Sequence, residues 1–282
     1  MDISPLADIN PKAVIGKNVR IEAFARIDQD VVIGDGTWIG TNASLYPGAR
    51  IGRNCSIFPG AVIAAIPQDL KFSGEYSGVE IGDNSTIREY VTVNRATKPG
   101  GYTRVGSNTL LMAYSHIGHD TTVGNNCVIV NSVQVAGEVI IQDWAVIGGM
   151  SAIHQFCRIG EHAMVSGMSG IVSDVPPYTK VFGIPAKYIG INSIGLKRRG
   201  FDKESIDIIR DIYRHVYQNG MNTSQAVEHI ESGISQTEET KRIISFIRES
   251  ERGIVKAVLA GSDSRGQSSN GGRVSVSGEI ST

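Results

Sequence analysis

Every sixth residue obeys one rule, and that rule decides what this chain can fold into. Counting from Ile3, the sixth places hold Ile9, Ile15, Ile21, Ile27, Ile33, Ile39, Leu45, Ile51, Ile57 and Ile63. The register lapses at Asp69 and Glu75, resumes at Ile81, Ile87 and Val93, lapses again at Pro99, and then runs unbroken from Val105 to Ile171. Of these 29 positions, 26 are Ile, Leu or Val. A helix repeats its apolar face about every 3.6 residues and a half-buried strand about every 2, so neither fits. A parallel β-helix does, because short β-branched strands there alternate with tight corners. The neighbouring positions agree. Glycine often follows the aliphatic residue (Gly16, Gly34, Gly52, Gly106, Gly124), and Asn or Asp crowds the next two places, as at Asp83-Asn84 and Asn125-Asn126. Corners that visit positive φ need such residues. Two places before the aliphatic stands a small side chain (Ala25, Thr37, Ala43, Ser85, Thr121, Ala145), where coils stacked about 4.8 Å apart leave no room for more. Cys55, Cys127 and Cys157 all occupy this slot. They read as packing residues rather than metal ligands or nucleophiles.

The pattern resembles the hexapeptide-repeat acyltransferases. That resemblance implies a left-handed parallel β-helix, a three-sided prism with roughly 18 residues per coil. It also implies homotrimers with active sites in clefts between neighbouring prisms.

Two segments break the repeat, about 64–78 and 94–104. Breaks in a solenoid are either tolerated surface insertions or the places where function is added. After Ile171, Pro176-Pro177 should end the strand ladder. From Asp202, a plausible N-cap, the period turns helical through Ile206, Ile209, Tyr213, Val216 and Tyr217, with Gly220 as a stop. Further helices are expected over about Thr223–Ser232 and Thr237–Arg252. The expected organisation is an all-β catalytic prism over 1–190, an α-helical domain over 191–260, and a disordered tail over 261–282, more than half of it Gly or Ser.

Charge excludes some functions. With 27 basic and 28 acidic residues, no nucleic-acid-coating surface is expected. No segment approaches the roughly 20 apolar residues of a membrane span, and residues 1–17 resemble neither a signal nor a transit peptide. Three cysteines make no disulfide framework, which suits a reducing cytoplasm.

Four of the six histidines, His116, His119, His154 and His162, fall in one stretch of prism; His215 and His229 are expected on solvated helix faces. If residues 18 apart stack, His119 has Gly137 in the next coil and Gln155 in the one after. Glycine beside histidine leaves open space and a bare N–H, as a general base with a nearby oxyanion donor requires. A single corner histidine is commonly just a solvated turn residue. The Asp120 that follows His119 argues for more, because a carboxylate orients an imidazole and stabilises its protonated form.

Local strings narrow the resemblance. Gln68-Asp69-Leu70-Lys71, Leu111-Met112-Ala113-Tyr114-Ser115-His116-Ile117-Gly118-His119-Asp120, Gly148-Gly149-Met150-Ser151-Ala152-Ile153-His154-Gln155-Phe156, Asp174-Val175-Pro176-Pro177-Tyr178 and Gly195-Leu196-Lys197-Arg198-Arg199-Gly200-Phe201 resemble the UDP-N-acetylglucosamine O-acyltransferases of lipid A synthesis, in order, over about residues 5–258. The resemblance implies transfer of an (R)-3-hydroxyacyl chain from acyl carrier protein to the glucosamine 3-hydroxyl, with no metal and no other cofactor. It implies His119 as general base, Asp120 as its support and the Gly137 N–H as oxyanion donor. Asp69 and His116 would hold sugar hydroxyls, and Lys71, Gln155, Asn192 and Arg198 would line the nucleotide-sugar, with His154 near the cleft. The basic run Lys197-Arg198-Arg199 is either a docking patch for an acidic carrier protein or a solvated helix start.

Four positions depart from that family's pattern: Glu138 and Asn94 replace histidines, Pro185 replaces a histidine, and Ile194 replaces a glutamate. A different nucleotide-sugar, such as a 3-amino sugar giving an amide, therefore stands as an alternative acceptor. A γ-carbonic-anhydrase-like zinc enzyme is a weaker alternative, because such sites draw a further histidine from an earlier coil and no histidine precedes His116. A non-catalytic scaffold is the remaining one.

Overall fold

Each hexad supplies one short strand, and three hexads close one coil of a prism. The computed structural model describes residues 2–218 and 220–258. Three sheets of 11, 9 and 8 strands form the faces; they are called first, second and third here, from their opening strands Asp2–Ile3, Asp8–Ile9 and Val14–Ile15. Regular partners lie three hexads apart in sequence and run parallel, as Ile9 with Ile27 and Ile15 with Ile33. The aliphatic positions point inward: Ile21, Ile27, Ile33 and Ile39 are all at most 1% exposed. Each such side chain contributes about 1.5–3 kcal/mol on burial, so the repeat is a core laid out along one axis.

The corners divide the polar work between two positions. The third residue after most of the aliphatics takes the left-handed conformation, as at Asn18 (φ 54°), Asn84 (58°) and Asn126 (56°). The glycine next to the aliphatic has another task, close approach. A Cβ on Gly106 would stand 2.5 Å from the carbonyl carbon of Gly124 in the next coil. The three cysteines are buried and unpaired, and burial pushes the Cys127 thiol up to about 12 and that of Cys157 to about 11.

The insertions respect the repeat. Ile81 pairs back to Ile51, a step of five hexads, and Val105 to Ile81, a step of four. Against the regular three, these are excesses of two hexads and one. Stacking therefore resumes with the aliphatics still inward.

Pro176-Pro177 do not end the ladder, contrary to expectation. Val175 bridges Ile159, and Val181 pairs with Val165, each step falling two places short of three hexads. The coil is shortened, and Pro177 rests on Gly160, which has no side chain to oppose it. The strand Thr179–Gly183 then pairs antiparallel with Ala186–Ile191, closing the edge.

Among the described residues four helices follow: α1 Ser193–Arg198, α2 Lys203–Gln218, α3 Thr223–Gly233 and α4 Glu238–Arg248. The first was not expected; it is a short turn capped by Asn192, which accepts from the Gly195 N–H at 3.2 Å. Asp202 receives the Ser205 N–H at 2.7 Å and opens α2. Helix α4 stops at Arg248 rather than Arg252, because the chain turns through Gly253 (φ 69°) and returns to the prism. There the buried Asp174 binds Val255 and Gly253 through its backbone, and Arg158 N and Ser250 Oγ through its carboxylate. The helices share a core of Leu196, Ile206, Ile209, Ile212, Tyr213, Ile230 and Ile243. No described helix is long and apolar enough to cross a membrane. The expected tail from Gly261 lies outside the described residues.

Candidate active site

Both insertions leave the prism at one corner, between the second and third sheets. The first separates strands Val62–Ala65 and Gly78–Ile81, the second Thr92–Asn94 and Tyr102–Val105. His119 occupies the same corner one coil later, since Val93 pairs with Ile117. The loops are tied together rather than free: Asn94 Nδ2 donates to Ile66 O at 3.1 Å, Arg95 Nε to Ala64 O at 3.0 Å, and Ser77 Oγ to Ala96 O. Arg50 and Tyr76 both bind Asp30, at 2.6 and 3.0 Å, which fixes the returning end of the first loop.

These ties bring the expected residues to His119. Its Nδ1 lies 2.8 Å from Asp120 Oδ2. A carboxylate only accepts, so Nδ1 carries the hydrogen and, in the neutral ring, Nε2 keeps its lone pair. Asp69 Oδ2 lies 3.9 Å from Nε2. The ring covers Gly137: a Cβ there would stand 2.4 Å from Nε2. At the corner between the third and first sheets, the amide at the same place in the hexad is taken by a side chain of the next coil, as Arg53 N by Asp83 and Ser107 N by Asn125. The coil after Gly137 offers Gln155 instead, and among the described residues none takes the Gly137 N–H. A bare donor therefore sits beside a lone pair.

The surroundings set the charges. Burial alone would raise the Asp120 carboxyl, but hydrogen bonds from His119 and Thr97 outweigh it and hold its pKa below the usual carboxylate value. His116 lies in the second sheet with Nδ1 2.6 Å from Thr92 Oγ1. Burial, and then His119 nearby, lower its pKa, so it is neutral at pH 7. Lys71 is exposed on the first loop, its N–H on Asp69 Oδ1 at 2.9 Å. His154 is exposed, with Nδ1 3.0 Å from the Gln155 carbonyl. Glu138 pairs with Lys98 at 3.3 Å.

Three of the expected residues lie elsewhere. His162 sits at the corner between the third and first sheets, stacked between Trp144 (6.0 Å) and Tyr178 (5.7 Å). It does not join the other prism histidines. Asn192 and Arg198 line a cavity of about 460 Å³ with Ile194, Lys180, Met164 and Val146, against the first sheet. On one chain this cavity and the His119 corner occupy different sides of the prism. A larger groove of about 570 Å³ crosses the third sheet, but its two arginines are already paired, Arg104 with Glu80 at 2.9 Å and Arg50 with Asp30 at 2.6 Å. Among the described residues, no group of three His, Cys, Asp or Glu could hold a metal ion.

Sequence reasoning missed Thr92, Thr97 and Thr103. Thr103 Oγ1 accepts the Asp120 N–H at 2.8 Å, and Thr97 donates to the Asp120 carboxylate. The available signal was the length of the second insertion: a whole hexad must leave and rejoin at one corner, the corner where His119 follows.

Known proteins resemble this chain in sequence and fold. The family profile "Udp N-acetylglucosamine O-acyltransferase; Domain 2" matches residues 174–255, and bacterial transferase hexapeptide repeats match 30–65 and 102–137. The acyl-[acyl-carrier-protein]–UDP-N-acetylglucosamine O-acyltransferase of Anaeromyxobacter sp. strain K is 44% identical over 192 residues, 68% of this chain and 75% of that protein. Among solved structures, the UDP-N-acetylglucosamine acyltransferase of Bacteroides fragilis superposes with a TM-score of 0.87 at 50% identity, covering 90% of this chain and 99% of that one. That of Francisella novicida superposes at 0.88 and 37% identity, covering 90% and 94%. Likeness of this extent includes the handedness of the coils and the helices appended to them, so this left-handed β-helix with its small helical domain belongs to the UDP-N-acetylglucosamine O-acyltransferase family.

Proposed function

We propose that the chain transfers an (R)-3-hydroxyacyl group from acyl carrier protein to the 3-hydroxyl of the glucosamine unit of UDP-N-acetylglucosamine, the first step of lipid A synthesis. The observation that carries this reading is the His119 ring, held by Asp120 through Nδ1 and laid over Gly137 with Nε2 free. In the proposed reaction Nε2 takes the proton of the sugar hydroxyl as its oxygen attacks the thioester carbonyl. The Gly137 N–H stabilises the resulting oxyanion. Collapse breaks the carbon–sulfur bond, the imidazolium returns the proton to the departing thiolate, and the ester and the free carrier thiol result. Asp120 stays ionised and stabilises the imidazolium in between. Asp69 and the neutral His116 position the sugar; Lys71, Gln155, Asn192 and Arg198 line the nucleotide, and His154 flanks the cleft.

The reading requires a homotrimer. Asn192 and Arg198 lie on a different side of the prism from His119, so one neighbour would supply them to the other's His119. An acidic carrier protein would dock on basic residues near Lys197-Arg198-Arg199. A cytoplasmic reaction suits the three unpaired cysteines.

The test is His119→Ala, assayed with UDP-N-acetylglucosamine and a panel of hydroxyacyl carrier proteins, with products read by mass. Turnover should fall roughly 10²–10⁴-fold, with circular dichroism unchanged and UDP-sugar affinity nearly so. Near wild-type turnover would refute the base assignment, and product formed only from a 3-amino sugar would replace the acceptor.

A further inference from the structure

Three donors converge on a single oxygen beneath the proposed base. Asp120 Oδ2 lies 2.8 Å from His119 Nδ1, 3.0 Å from Thr97 N and 2.7 Å from Thr97 Oγ1. The carboxylate is 8% exposed, and the Asp120 backbone is fixed separately by Thr103. Thr97 belongs to the second insertion, the only part of the chain besides His119 that donates to this carboxylate among the described residues. That loop is anchored on both flanks, by Arg95 on Ala64 O and by Lys98 on Glu138.

Such loading has a definite mechanical effect. A carboxylate with one donor can rotate and offer either oxygen to the imidazole. One whose Oδ2 is gripped by a hydroxyl and an amide from a tethered loop cannot, so the imidazole plane and the aim of Nε2 become fixed. The same bonds favour the ionised carboxylate where burial opposes it. Proton transfer in a transition state depends steeply on such aim.

We infer that Thr97 is a positioning residue of the acyl transfer, holding Asp120 so that Asp120 holds His119. The inference rests on His119 being the base, and its function would be to make the second insertion part of the catalytic apparatus without touching substrate.

The experiment uses the full chain with UDP-N-acetylglucosamine and a 3-hydroxyacyl carrier protein. Thr97→Val keeps the shape and the backbone donor but removes the hydroxyl. It should lower kcat roughly tenfold, as one charge-assisted hydrogen bond to Asp120 is lost and the amide partly compensates. KM for the UDP-sugar should stay within about twofold, because the defect is in the transition state. Thr97→Ser should restore most of the rate. In an Asp120→Ala background Thr97→Val should cost nothing more, since its target is gone. Wild-type kcat in Thr97→Val, no rescue by serine, or a loss that adds to that of Asp120→Ala would each overturn the inference. His119→Ala run in parallel separates the two ideas. If it is inactive while Thr97→Val is normal, only the positioning role fails; if it is active, the base reading fails and the inference with it.

Discussion

Gly137 shows how much one absent side chain can decide. Its φ is not in the left-handed region, so alanine would be tolerated by the backbone; the obstacle is His119, whose Nε2 lies 2.4 Å from where the new Cβ would stand. The ring could yield only by leaving Asp120. Gly137→Ala should therefore keep its thermal midpoint within a few degrees yet lose turnover about 10²-fold or more. Combined with His119→Ala it should lose little beyond that single variant, because both remove the same base. Additive losses would mean that Gly137 acts separately from the ring. The same comparison explains what could be read beforehand. His119, Asp120 and Gly137 were legible because they are local or one coil apart, and coil spacing is written in the repeat. Thr97 was not, because it meets Asp120 across a loop whose path is set by Asn94, Arg95 and Ser77 rather than by any period.

At the scale of elements, the junction of prism and helices is where expectation and structure part most. Two prolines read as a terminator became a shortened coil, because Gly160 makes room for Pro177. His162, grouped by sequence with His116, His119 and His154, serves this junction instead. Its carbonyl accepts from Asn192, and its ring lies among Trp144, Tyr178 and Phe201 with Arg199 Nη1 3.3 Å from Nδ1. Burial, and then the Arg199 charge, push its pKa down to about 4. The unfolded chain binds that proton from about pH 6.5. Stability from this residue is thus complete above about pH 6.5 and is lost as pH falls toward 4, by on the order of 3 kcal/mol. His162→Phe should flatten that part of the acid unfolding profile followed by circular dichroism. Phenylalanine is acceptable at this corner position, as Phe24 and Phe156 occupy its equivalents at φ 62° and 67°. An unchanged acid limb would assign the sensitivity to another group.

For the whole molecule, the proposed two-sided site would make assembly a condition of activity. The solution mass should be near three times 30.2 kDa, and a monomer at micromolar concentration would rule the proposed assembly out. A sharper check mixes two inactive variants, His119→Ala and Arg198→Ala, after dissociation and reassembly. If each site takes His119 from one copy and Arg198 from its neighbour, about one quarter of the sites in a random equimolar mixture regain both residues. Recovery near zero would place both groups on one chain. The insertions, finally, carry a lesson of grammar. Because they lengthen the chain by whole hexads, two and then one, every later sixth-place aliphatic up to Ile171 still faces inward; an odd number of residues added within a strand would act as a frameshift does in a coding sequence, turning the later core outward. Variation in such a protein is thereby quantised. New loops can be spliced in by whole words of six, so the surface around His119 can be extended while the text beyond it remains readable.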